Sequence, residues 1–161
     1  MAAIPIRSLP DPVLRQKARR VPNIDSSIQR LIDDMVDSMR AADGVGLAAP
    51  QIGVSLRVIV IEIPDEEPFV LINPKFVKRS GQRLVEEGCL SVPGYRAEIT
   101  RSAEVVVKGL SREGKPIRIK ARDDLLAQAL EHEIDHINGV LYVDYVKSPD
   151  ELHRVEATPS S

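Results

Sequence analysis

Apolar residues recur at positions 28, 31, 32, 35, 36 and 39 of "IDSSIQRLIDDMVDSMRAADG", the spacing that lines one face of a helix. Asp25 or Ser26 is placed to cap its start, and Gly44 lies past its end. The pattern then shortens. "LRVIVIEI" and "FVLINP", separated by "PDEEP", read as two strands joined by a turn over residues 56 to 72. "AEVVVKGLSREGKPIRIKA" gives two more strands around the turn "SREGK". In "DDLLAQALEHEIDHING" aspartates stand at the start, helix formers fill the body and Gly139 closes it, so a second helix is expected over residues 123 to 138. Helix, strands, helix is the order of an α+β domain, not of repeating βαβ units. The expected architecture is one domain over residues 1–150, with an N-terminal helix, central antiparallel or mixed sheets and a C-terminal helix. Residues 151–161, "ELHRVEATPSS", form a short polar tail whose end is expected to be mobile and which contains His153.

Composition narrows the function classes. A chain of 161 residues can bury a real core without staples. Its 22 basic and 24 acidic residues lack the excess expected of a protein that reads nucleic acid, so any RNA contact has to be local. No apolar run approaches the ~20 residues of a membrane span, and "MAAIPIRSLPDP" does not resemble a targeting segment. A cytosolic protein is expected. The single cysteine, Cys89, cannot form an internal disulfide and is free for metal or chemistry.

The chemistry concentrates in "HEIDH", residues 132 to 136. On a helix His132 and His136 project from one face and can hold one metal, with Glu133 beside them to take a proton from water. A catalytic metal of this kind wants a third protein ligand. The extended zinc-peptidase pattern would place a histidine where this chain has Tyr142, and Glu151 or Glu156 would act from the polar tail. Cys89 remains, in the short, loop-like "EEGCLSVPG", although a buried structural cysteine is the more ordinary reading of that residue by itself. The other unusual stretch is "GVGLAAPQIG", residues 44 to 53, uncharged in a chain that is 29% charged. Small residues let another backbone approach, and its one amide, Gln51, can only give or take hydrogen bonds.

"GVGLAAPQ" at 44 to 51, "EGCLS" at 87 to 91 and "HEIDH" at 132 to 136, in that order, resemble the three motifs of the peptide deformylases. The likeness runs from "PDPVLR" at 10 to 15 to "GVLYVDYV" at 139 to 146. It implies hydrolysis of the formyl group from the N-terminal methionine of new polypeptides. It also implies one divalent metal, natively iron(II), with zinc, nickel or cobalt able to replace it, held by Cys89, His132 and His136. Glu133 is then the general acid/base. The side-chain amide of Gln51 and the backbone N–H of Leu90 are the expected donors to the negative oxygen that develops. The backbone at Val45, Gly46 and Leu47 can pair with an extended peptide as an added strand. The implied partners are N-formylmethionyl nascent peptides, with transient ribosome proximity, a monomeric state, no membrane and no direct reading of nucleic acid. A bacterial cytosol is the implied compartment.

Helix periodicity adds detail. Leu125, Gln128 and Ala129 lie on the face of His132 and should line the space beside the metal; with Val45 they would suit an unbranched apolar side chain. Asp135 is expected to pair with Arg96 or Arg101, or to orient a ligand imidazole, and Glu87 to act similarly beside Cys89. Many relatives have glutamine where this chain has Glu131, a position expected to point off the metal face. Two competing classes remain: a metallopeptidase, which would leave Gln51 and Cys89 idle, and a non-catalytic metal binder, which would leave Glu133 unexplained.

Overall fold

The computed structural model describes residues 3–155. The first helix, α1, spans Ser26–Ala41, and the Asp25 carboxylate caps it by accepting from the N–H groups of Ser27 and Ile28. It buries Ile28, Ile32, Met35 and Met39, one stripe of the expected face. Asp43, at φ 56°, turns the chain out of the helix before Gly44.

A five-stranded sheet follows, built from β1 (Gly46–Ala48), β2 (Val58–Ile61), β3 (Phe69–Ser80), β6 (Glu104–Leu110) and β7 (Pro116–Arg122), in the order β1-β2-β3-β6-β7. Every neighbouring pair in it is antiparallel. A second sheet, in the order β4-β5-β8, contains β4 (Arg83–Cys89), β5 (Val92–Arg101) and β8 (His153–Arg154). The second helix, α2, spans Leu125–Ile137 and is capped by Asp124, whose carboxylate accepts from the Ala127 N–H.

Strand alternation divides the core in two. Val58, Val60, Val70 and Ile72 pack under α1 with Ile32, Met35 and Met39. Ile59, Ile61, Leu71, Val105, Val107 and Ala121 face the other way and pack with Ala127, Ala129, Leu130 and Ile134 of α2. Both faces of β2 are therefore buried, and this is why its sequence is a continuous apolar run.

Two expectations are corrected. Cys89 does not sit in a loop: it ends β4, in a hairpin with β5 that no apolar run announces. β3 continues to Ser80, well past residue 72. Within the polar tail His153 and Arg154 form β8 and pair with Arg96 and Tyr95 of β5. Residues 156–161, the segment expected to be mobile and the position of Glu156, lie outside the described residues.

Candidate active site

Residues 132 to 136 fall in the buried half of α2, so both imidazoles face the second sheet instead of solvent. Their Nε2 atoms are 3.2 Å apart, and Cys89 Sγ lies 3.2 Å from Nε2 of His136. Ligand atoms of all three residues lie within 4.8 Å of one another. For metal bonds of about 2.0–2.1 Å to nitrogen and 2.3 Å to sulfur, a tetrahedral ion needs neighbouring ligands roughly 3.3–3.6 Å apart. The triangle therefore fits one transition-metal cation. Cys89 is delivered by a register break after Gly88, where β4 and β5 meet at Cys89 and Val92 across a two-residue turn. Tyr142 provides no ligand: it packs in the small core around Cys89 and donates to the Tyr95 carbonyl at 3.1 Å.

A chain of buried charges orients this triangle. His132 Nδ1 is 2.5 Å from Glu87 Oε1, and Glu87 accepts from Arg101 at both oxygens, at 2.6 and 2.8 Å. Arg101 also donates to Asp135 Oδ2 at 2.6 Å, which accepts the Tyr145 hydroxyl at 2.8 Å. Arg101 is thus the cation that Asp135 was expected to find. Arg96 bonds instead to Glu86 at 2.7 Å, on the cavity rim. Burial alone would raise the Glu87 carboxyl, but its bonds with Arg101 and His132 prevail and bring it to about 2. Burial opposes charge on His132 as well, yet Glu133, Cys89 and Glu87 outweigh it and lift the imidazole well above its ordinary value. His136 moves down, through burial and the charges of His132 and Arg101.

Glu133 lies against β1. A Cβ on Gly46 would stand 2.7 Å from Glu133 Oε2, so any side chain there would displace the Glu133 carboxyl. Burial, reinforced by Glu87 and Asp135 and opposed by His132 and Arg101, raises Glu133 to about 7. Its Oε1 is buried without a hydrogen-bond partner among the described residues, as is Nδ1 of His136. Glu131, one residue before His132, points away from the triangle and binds the N–H and hydroxyl of Ser102, each at 2.9 Å.

The uncharged stretch forms the facing wall. Among the described residues β1 pairs only with β2 and leaves an edge open. Ala49–Ile52 then form a 3-10 turn that buries Gln51. The Gln51 amide oxygen accepts from the Ala48 N–H at 2.9 Å, while Nε2 donates to Ser91 Oγ at 3.2 Å and to Cys89 Sγ at 3.7 Å. Val45, Gly46, Gln51, Leu90, Leu125, Gln128, Ala129 and Glu133 line one cavity with Cys89 and His132. Leu47 is the exception: its side chain is fully buried in the α1-side core, so only its backbone belongs to this wall. Sequence reasoning missed Ser91, Glu86 and Tyr145. Ser91 and Glu86 flank Cys89 within "EEGCLS", and reading that segment as a hairpin would have placed them.

Residues 3–151 match the family model described as polypeptide deformylase. A peptide deformylase of Dehalococcoides mccartyi (strain CBDB1) is 57% identical over 156 residues, covering 96% of this chain and 93% of that one. The crystal structure of a peptide deformylase from Legionella pneumophila superposes with a TM-score of 0.88 at 50% identity, covering 92% of this chain and 88% of that one. One from Synechococcus elongatus, in complex with actinonin, gives 0.88 at 42% identity, covering 92% and 81%. With a family match over nearly its whole length and the same fold, this chain belongs to the polypeptide deformylase family.

Proposed function

We propose that this cavity is where the chain, a peptide deformylase, hydrolyses the formyl group from the N-terminal N-formylmethionine of new polypeptides and releases formate. Cys89, His132 and His136 hold one divalent cation, natively iron(II), with zinc, nickel or cobalt compatible with the same donors. The bound cation supplies Lewis acidity toward water and the formyl oxygen. The observation that carries the reading is Glu133: a buried carboxyl with one unpartnered oxygen, placed between the ligand triangle and the edge strand.

From there Glu133 accepts the proton of the attacking water and returns it to the departing amine. The Gln51 amide, whose Nε2 points at Cys89, and the Leu90 N–H bind the oxygen on which negative charge develops. The backbone at Val45, Gly46 and Leu47 pairs with the substrate as an added strand, and Gly46 lets it lie close to Glu133. Leu125, Gln128, Ala129 and Val45 receive the methionine side chain, Ala129 leaving the room for it. No helix among the described residues is long and apolar enough to cross a membrane. We place the protein in a bacterial cytosol as a monomer that meets its substrates near the ribosome.

The test is metal content and formate release on one sample, prepared without oxygen because iron(II) beside a thiolate is open to oxidation. One cation per chain, turnover of an N-formylmethionyl tripeptide, and loss of the cation in Cys89→Ala are expected. A fully loaded parent without turnover, or a Cys89→Ala protein that keeps its cation, contradicts the reading.

A further inference from the structure

The face of the five-stranded sheet that α1 covers does not end with α1. Ile72 and Leu110 pack in the core beneath the helix. The next rows on the same face lie across β3, β6 and β7, in the register Lys75↔Lys108↔Arg118, then Lys78↔Val106↔Lys120, then Ser80↔Glu104↔Arg122. All six of these cations are exposed. Glu104 is the only carboxylate on these rows, and Lys78, Lys120 and Arg122 share it at 3.5, 3.8 and 3.6 Å. Asp123, past the end of β7, reaches Arg122 alone, at 3.5 Å.

Two features separate this surface from an ordinary solvated face. The first row sets three cations directly opposite one another, an arrangement that destabilises a sheet. The concentration also runs against the chain as a whole, whose net charge is -2. Both are accounted for if the face meets a polyanion. The rows carry no aromatic residue, and their one apolar side chain, Val106, is buried between Lys78 and Lys120. A membrane-binding surface wants large apolar anchors as well as charge, and the exposed apolar side chain beside these rows, Val77 at the register shift of β3, is a single small one.

We propose that the β3-β6-β7 face is a docking surface for the phosphate backbone of RNA, without reading of bases. The choice of RNA rests on the deformylase reading, because new polypeptides emerge from a ribonucleoprotein. The geometry suits such a role. α2, with His132 and His136, packs on the opposite face of the sheet through Val105, Val107 and Ala121, so RNA held here leaves the active site open.

The test is fluorescence anisotropy with a labelled single-stranded RNA of about 20 nucleotides and mixed sequence, at about 50 to 200 mM salt. It compares the parent with Lys108→Gln/Arg118→Gln/Lys120→Gln, and sedimentation with phosphatidylglycerol/phosphatidylcholine vesicles runs in parallel. Parent binding should fall linearly in log–log form with salt, at about -0.7 per phosphate neutralised. The triple variant should bind about tenfold or more weakly at low salt, with its slope reduced by about 2. Its formate release from a tripeptide and its Tm should not fall. An RNA affinity that is absent, independent of salt or equal in the variant overturns the proposal, as does tighter binding to the vesicles than to RNA. Absence of formate release by the parent would instead count against the deformylase reading and would leave the RNA result to be read by itself.

Discussion

The two helices use the same rules to opposite ends. α1 buries an apolar stripe and one polar side chain, Ser38, whose hydroxyl accepts from the Ile4 N–H and donates to the Asp34 carbonyl. Its charged residues stay on the outer face. α2 buries every residue from Ala129 to Ile137, among them Glu131, His132, Glu133, Asp135 and His136. Taking an ionised group out of water costs several kcal/mol unless partners compensate. Most of these groups have them: Ser102 for Glu131, Glu87 for His132, Arg101 and Tyr145 for Asp135. Glu133 Oε1 and His136 Nδ1 do not. α1 therefore buries apolar surface at little polar cost, whereas α2 carries buried polar atoms without partners, a cost that the proposed reaction accounts for.

Substitutions should expose that division. Arg101→Ala removes the cation that the buried Glu87 and Asp135 share, leaving them His132 and Tyr145, and should destabilise by about 3–5 kcal/mol in denaturant unfolding. Formate release per folded molecule should fall with it, because Glu87 loses the two bonds that hold it against the His132 imidazole. Met35→Ala, at a fully buried position of α1, should cost about 2–5 kcal/mol of stability and nothing in turnover per folded molecule. A matching loss of turnover would show that α1 reaches the site. Removing the α1 cap with Asp25→Ala should cost only about 1 kcal/mol, read as a small drop in Tm with unchanged kcat.

How much the sequence reveals follows the same division. α1 is legible to its cap because its burial is purely hydrophobic and periodic, and α2 is legible from HEIDH and its flanking Asp124 and Gly139. The β4-β5 hairpin is not. Its inward positions alternate with period two through Val85, Glu87 and Cys89 on β4 and through Ala97, Ile99 and Arg101 on β5. Glu87 and Arg101 occupy places where a strand ordinarily shows apolar residues, so the alternation disappears from a hydrophobic pattern. Their pairing with each other, and with His132 and Asp135 of α2, offsets that burial, and pairing between elements is not written in either segment alone. The second half of β3 is hidden for a different reason: no helix covers its outer face, so Lys75 and Lys78 stand where Val70 and Ile72 stand earlier. Leu47 shows the limit of motif reasoning, because neighbours in one uncharged stretch point to different sides of the sheet.

Glu133→Gln tests the central claim most directly, since it keeps the shape of the side chain and removes its charge and basicity. Formate release from an N-formylmethionyl tripeptide should fall by about 10²–10⁴-fold, while cation content stays at the parental value and Tm is equal or higher. Near-parental turnover, or a variant that loses its cation and unfolds at lower temperature, would mean that Glu133 is buried for the fold and not for the reaction.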